Sequence, residues 1–429
     1  MDLQRLEIAR LFHRTGFGPK PGEFAAALSA GVASTRSKVL SPPTRTSFVT
    51  PPVLTDLGPR PAANSPAVVD FSQQLRYQNQ LLFMWWLDEM VTSPHTLQEK
   101  MTWFWHGHWA TSIGKVNYAL PMFNQNVTMR KYALGNFKDF AKAMFSDGAL
   151  QVWLDGQENT VKAPNENFSR EMMELFTLGV NRYTETDVKE LARAFTGYQV
   201  SRSSGVVTFN VRRRDTAAVT VLGKTAVMSP EDVIDHLVSH ENSALFVAER
   251  IWYRLVSSQE PLPQNHPMVK AFADRDISAL MKSLIESSAF SQAENSTVKS
   301  PVEWFVGLCR ALVITPSQLP SPTKLYNYLE MLSQVPLSPP NVGGWPTDQA
   351  WLSSASAQFR VSFATSIIGQ ANLAELTAVS PVKRAAYLAD LLGVVEWSSR
   401  TDYAMRAVRD NPQKLLVVAT CSPEYVVSQ

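Results

Sequence analysis

A chain of 429 residues, 45% hydrophobic and 18% charged, is long enough for a large core and for two or three domains, which excludes a disordered polypeptide. Forty basic residues against 38 acidic give a formal charge of +2, too balanced for a nucleic-acid or anionic-membrane partner. Cys309 and Cys421 stand far apart in apolar contexts, so they read as buried free thiols and not as a disulfide framework or a Cys-rich zinc motif.

The N-terminus carries Asp2 and no apolar run, so it is not a secretory signal, and no window of about 18 apolar residues marks a transmembrane helix. The expectation is a soluble protein. It is cytoplasmic as the sequence stands, and belongs to the envelope or periplasm if a partner carries it or a leader was removed.

Apolar groups at Leu3, Leu6, Leu11 and Phe12 predict a helix over 3–14, Thr15–Pro19 breaks it, and a second helix follows from Glu23 to Ala30. His13 reads as a polar residue at a helix end. Seven prolines between Leu40 and Pro66 deny the backbone its donors and predict a long wrapping arm. The division that follows is an N-terminal helical hairpin over 1–39, a Pro-rich arm over 40–69 and a main helical domain over 70–429.

Helix resumes near Asp70 and runs to about Thr92, and another begins at Thr96 with Leu97, Met101, Phe104 and Trp105 on one face. It ends in Phe104-Trp105-His106-Gly107-His108-Trp109. His-x-His places alternate side chains of an extended segment on one side, a short-range metal-ligand spacing, although a helix end bonding its imidazoles to backbone explains it as well. Residues 117–147 continue as helix, with Arg130-Lys131 and Lys138-Asp139 on solvent faces.

The stretch Asn165–Val180 is a helix with unusual polar content. Asn165 after Pro164 is its N-cap, Glu166 sits in the first turn, and Gly179 supplies the stop. Glu171 lies three residues before Glu174, and Arg170 four before it, so the three share a face. Paired carboxylates beside an arginine in apolar surroundings are costly unless used or fully paired. Thr184 and Asp187 then form the start of the next helix.

The β-branched runs Val206–Val211 and Ala218–Gly223 predict one small hairpin near 205–223, with Arg212-Arg213-Arg214 as a solvated turn. Helical spacing returns over 230–240, 243–257, 267–274, 276–288 and 301–314, then around 354–372, 381–392 and 412–420. His236 and His240 lack the adjacent glutamate of a metalloprotease motif. The segment Val335–Trp351, rich in Pro, Gly and Trp, predicts a loop that either roofs a cavity or plugs the core with Trp345. The fold class is mainly α: a multi-helical globular bundle with one small β-hairpin and long wrapping loops.

Taken together, Arg14–Gly18, the Phe104–Trp109 motif, Asn165–Leu175, Tyr183–Val188 and Pro339-Pro340-Asn341-Val342-Gly343-Gly344-Trp345-Pro346 occur in an order that resembles the large bacterial domain-of-unknown-function family numbered 1800. The resemblance covers nearly the whole chain. It implies no established reaction; members are often exported, and their genes frequently adjoin those of a second family that looks like a sulfatase or alkaline phosphatase relative. It marks His108, Asn165, Glu166, Asn167, Arg170, Glu171, Glu174, Asp187, Asn341 and Trp345 as family-pattern positions. Two departures stand out: Phe176 occupies the usual histidine position, and no leader precedes residue 1.

Two readings follow. In one, the chain is a scaffold or accessory protein acting with a partner protein, of which a sulfatase- or phosphatase-like protein is the one the resemblance implies, around a buried His/Glu/Arg/Asn centre with Arg170 paired to Glu174 and His108 to Glu171. In the other, His108, Glu171, Glu174, Arg170 and Asn167 are catalytic in a hydrolase or other enzyme. There His106, His108, Glu171 and Glu174 are the candidate ligands of a divalent metal, and the cofactor is otherwise unassigned. No glycine-rich phosphate loop or Gly-x-Ser-x-Gly elbow is present.

Overall fold

The computed structural model describes residues 2–45, 47–292 and 294–428. Three N-terminal helices, α1 (Leu3–Arg14), α2 (Glu23–Ala30) and α3 (Val32–Val39), precede the arm, and α3 adds a helix to the two expected there. After the arm come α4 (Ala67–Thr92) and α5 (Thr96–His108), the short turn α6 (Ile113–Val116), then α7 (Ala119–Tyr132), α8 (Phe137–Phe145) and α9 (Gly148–Trp153). The middle of the chain holds α10 (Glu166–Glu171), α11 (Glu185–Ala194), α12 (Pro230–Ser239) and α13 (Glu241–Leu255). It is followed by α14 (Pro267–Ala271), α15 (Ile277–Ile285), α16 (Ser288–Ser291) and α17 (Pro301–Leu312). Further helices run to the C-terminus, and two of them, Pro322–Met331 and Ser399–Val408, are additions to the sequence reading. The fold is mainly α. Among the described residues no helix is long and apolar enough to cross a membrane.

Two large apolar clusters meet at α5. Leu97, Met101 and Trp105 pack with α7, α8 and the α10–α15 region, whereas Trp103 packs with α4, α17 and the C-terminal helices. A helix buried on every side must bury its polar residues too. Gln98, Glu99, Lys100, Thr102, His106 and His108 are accordingly all buried, and each must find a partner inside the protein.

Buried arginines close the chain on itself. Arg14 donates to the carbonyls of Val256 (3.2 Å) and Ser428 (3.1 Å), and Arg310 to those of Gly18 (2.8 Å), Val91 (2.9 Å) and Ser93 (3.2 Å). Apart from Ser428, which ends a short strand, these carbonyls lie at helix ends or in irregular backbone, and a five-donor guanidinium serves several at once. The arm is held by Glu89, whose carboxylate accepts from the Phe48 and Val49 amides at 2.8 Å each.

The strands exist where the sequence puts them and small hairpins form there, but the two predicted runs pair with other segments and not with each other. Val207–Phe209 pairs with Tyr198–Val200, and Val219–Val221 with Lys224–Ala226. The reason is local: Leu222 and Gly223 both have positive φ, 46° and 76°, and form a tight two-residue turn that folds the second run back on its own continuation. Thr297–Val298 pairs with Val427–Ser428 in a third two-stranded ladder. The arginine run between the strands is not a simple solvated turn either, since Arg213 donates to Gln157 O (2.6 Å) and Arg214 to Met228 O (2.7 Å).

Candidate functional site

The α5 helix continues through His108, and this decides the fate of the His-x-His pair. Two residues along a helix turn the side chain by about 200°, so the imidazoles diverge, where an extended segment would have aligned them. His106 Nε2 accepts the Leu337 amide at 3.1 Å, with its ring edge-on to Trp86 at 4.9 Å. His108 Nε2 lies 3.0 Å from the Phe176 carbonyl, to which it donates. The two rings therefore hold opposite tautomers. Burial pushes both pKa values down to about 3, that of His108 with the further help of Arg250 and Arg254, so both are neutral at pH 7. His108 Nδ1 is left buried without a partner.

The Asn165 helix begins as expected, with the Asn165 side chain accepting from the Asn167 amide at 3.0 Å. After Glu171 it widens into a π-helix over Met172–Thr177, a form frequent at functional sites. Thr177 Oγ1 donates to Met172 O at 2.6 Å, while the carbonyl of Phe176 meets His108. Gly179, with φ 94°, stops the helix.

The polar partners differ from those expected. Arg170 makes a bidentate pair with Glu185, 2.7 Å in each arm, and a weaker one with Glu166 at 3.3 Å. Glu174 accepts from the Tyr183 hydroxyl. Asn167 Nδ2 donates to Leu154 O at 3.1 Å. These bonds clamp α10 and the π-segment onto the end of α9 and the start of α11. The expected pairs Arg170 with Glu174 and His108 with Glu171 give way to them, because the neighbours in space come from residues that helical spacing cannot name. Glu171 makes no hydrogen bond among the described residues, and its carboxyl pKa is raised by burial and by Glu174.

Among the described residues no group of three or more His, Cys, Asp and Glu side chains is placed to hold a metal ion. The expected ligand set His106, His108, Glu171 and Glu174 is thus not gathered into one, as the divergence of the two imidazoles requires.

Other candidates resolve into structural roles. Asp187 completes a capping box with Thr184 and also accepts the Leu222 amide at 2.7 Å. His13 lies buried against the Leu392 and Gly393 carbonyls, His236 bonds to Val221 O, and His240 caps α13. Both cysteines are free; Cys309 is buried and Cys421 half-buried.

The Val335–Trp351 loop both plugs and roofs. Trp345 is buried and stacks on Trp103 with ring centroids 5.1 Å apart. It also walls a cleft of about 60 Å³ between α5, α13, the start of α17 and the loop, lined by Lys100, Gly107, Tyr253, Arg254, Glu303 and Asp348 among others. Gly344 permits the seal, because at φ 82° it brings the chain so close that an added Cβ would lie 2.4 Å from the Gly107 carbonyl oxygen. Gly344→Ala is expected to cost about 2 kcal/mol or more and to change Trp345 fluorescence. Gly107 has open space where its own Cβ would stand, so Gly107→Ala, in a helix, should be neutral or stabilising by up to about 1 kcal/mol. Thermal unfolding of the two variants checks the contrast.

The family model described as "Protein of unknown function (DUF1800)" matches residues 10–427, which takes in the histidine pair, the Asn165 helix and the Trp345 loop. The chain belongs to the DUF1800 family. No curated protein and no solved structure matches it. In this DUF1800 protein the departure at Phe176 falls beside His108, the two rings being 6.2 Å apart. Sequence reasoning missed the cleft residues Arg254, Lys100 and Glu303 of the DUF1800 chain. The one available signal was Arg250 and Arg254, four apart on a helix whose other positions include Ala248, Ile251 and Leu255.

Proposed function

We propose that this DUF1800 protein is an accessory protein that acts with a protein partner, its His/Glu/Arg/Asn centre serving to fix the fold. The observation that supports this reading is the partner set of that centre. His106 and His108 use a ring nitrogen on a backbone group of a distant segment, Arg170 is held by Glu185, and Glu174 by Tyr183. Such bonds orient helices and leave little for a substrate.

The surface suited to a partner is the Pro-rich arm and the apolar groove beside it. The groove, about 560 Å³, is lined by Pro59, Phe71, Leu75 and Tyr118 and flanked by Arg60 and Arg202. Val53 on the arm is 84% exposed. An extended apolar segment with an acidic residue at its end fits this chemistry. The partner class implied by the family resemblance is a sulfatase- or phosphatase-like protein. Titration calorimetry of the full chain with that protein should show a complex that Leu75→Asp weakens by at least about tenfold, the effect of a charge in an apolar contact. An unaltered affinity in Leu75→Asp would remove the groove from the reading.

A second reading rests on Glu171, the one carboxylate of the centre without a hydrogen bond and with a raised pKa. It makes the protein a hydrolase with Glu171 as general acid, acting with His108 and Glu174. Turnover of a phosphate or sulfate ester by the isolated chain, abolished in Glu171→Gln, would establish it over the accessory role.

A further inference from the structure

The cleft under the Trp345 loop is lined by two cations, Lys100 and Arg254, and two carboxylates, Glu303 and Asp348, and only Lys100 and Glu303 of the four are joined in an ion pair. Asp348 is committed: its Oδ1 accepts the Val298 amide at 2.9 Å, and its Oδ2 accepts from Ser258 Oγ and from Gln259 Nε2. Glu303 is committed as well, taking the Ser300 amide at 2.9 Å in a capping box and forming the buried ion pair with Lys100. Both acids hold the cleft walls in place through these bonds.

The guanidinium of Arg254 is different. It lines the cleft and makes one hydrogen bond, from Nη2 to the Trp345 carbonyl at 3.0 Å. Among the described residues no carboxylate lies within ion-pair distance of Arg254 or of Arg250. Arg250 precedes it by one helical turn, and its Nε is buried with no partner. The two share a face of α13 with Phe246, whose ring lies 6.1 Å from that of His108. That face is therefore turned toward the end of α5. The two guanidiniums repel each other, Glu303 offsets this in part at Arg254, and an anion between them would relieve it further.

We propose that this cleft is a binding site for a single oxyanion group, a carboxylate, phosphate or sulfate, received by Arg254. Planar N–H donors match the oxygens of such a group in a bidentate pair. The Tyr253 hydroxyl, which accepts from Thr347 Oγ1 at 3.0 Å, keeps its own proton for the ligand. Space of about 60 Å³ corresponds to roughly four waters, enough for one such group. The walls of Trp103 and Trp345 limit it to that, so the rest of any larger ligand would lie outside. This site is separate from the arm groove and stands whether or not the accessory reading holds.

The test is calorimetric titration of the full chain with sodium phosphate, sulfate and acetate in turn, at constant ionic strength set with chloride. Saturable binding of at least one anion is expected, and the arm that binds names the chemistry. Arg254→Gln should weaken it by about tenfold or more, the loss of a charged hydrogen-bonding group. Arg250→Gln, which breaks no hydrogen bond in the fold, should weaken it by a smaller factor and guards against a folding defect in the first variant. The exposed Arg400→Gln should leave it unchanged. Absence of saturable binding for all three anions in the wild-type chain overturns the proposal. So does an affinity unaffected by both α13 substitutions, or one lowered equally by Arg400→Gln.

Discussion

Replacing Arg130 with Met is expected to destabilise the protein by about 3–5 kcal/mol, the cost of leaving its buried partner charge alone. Arg130 and Glu99 are each 2% exposed, joined at 2.8 and 3.1 Å by two hydrogen bonds. Trp86 Nε1 also donates to Glu99 at 2.9 Å, and the Arg130 guanidinium lies over the Trp85 ring at 5.1 Å. The pair ties α5 to α7 in the middle of the molecule. Because the isolated Glu99 charge is what the single variant cannot tolerate, adding Glu99→Gln to Arg130→Met should recover part of the loss, as a double-mutant cycle from urea unfolding would read. Strict additivity of the two changes would mean that the two side chains do not act as a pair. Helical spacing expects Arg130 on a solvent face; the structure buries it, because α5, with its own buried acid, packs against that side of α7.

The second large effect is on pH dependence. Burial holds His106 and His108 at folded pKa values of about 3, against the ordinary 6.5 of a histidine. The unfolded chain thus binds more protons below pH 6.5, and the stability each ring contributes is complete above that pH and lost as pH falls toward 3. The slope is at most about 1.4 kcal/mol per pH unit for each. Asp147 has the opposite sign. Burial raises its pKa from 3.8 to about 7, although Gln125 and the Leu150 amide bond to the carboxylate at 2.8 Å each. Its contribution is complete below pH 3.8 and lost as pH rises through 7. Between these limits the aspartate offsets roughly one of the two histidines. Asp147→Asn keeps an acceptor oxygen at the start of α9 and removes the titration, so its stability should fall more steeply on acidification. Relative to wild type the deficit should grow by about 2–3 kcal/mol between pH 6.5 and 4.5 in urea unfolding. A deficit constant across that range would show that Asp147 is ionised in the folded protein.

The candidate site was partly legible. Asn165 as a cap, Gly179 as a stop and Asp187 as a capping residue depend on backbone groups two or three residues away, and residue type alone specifies them. The π-segment was not legible, because nothing in Met172–Thr177 distinguishes a five-residue from a four-residue bond pattern until the helix is packed. The His-x-His spacing misled for a definite reason: a metal pair needs an extended segment, and Trp103–His108 remains helical.

By itself, then, the sequence determined the helical class, the order of most of the helices, their caps, and the family. All of these are written in local hydrogen-bond chemistry, apolar periodicity or motif order. Tertiary structure alone decided which polar groups are buried and what they meet. His106 finds an amide 231 residues away, His108 a carbonyl 68 residues away, and Arg254 the Trp345 carbonyl 91 residues away. A buried polar group takes whichever donor or acceptor packing delivers to it, and spacing along the chain carries no record of that choice.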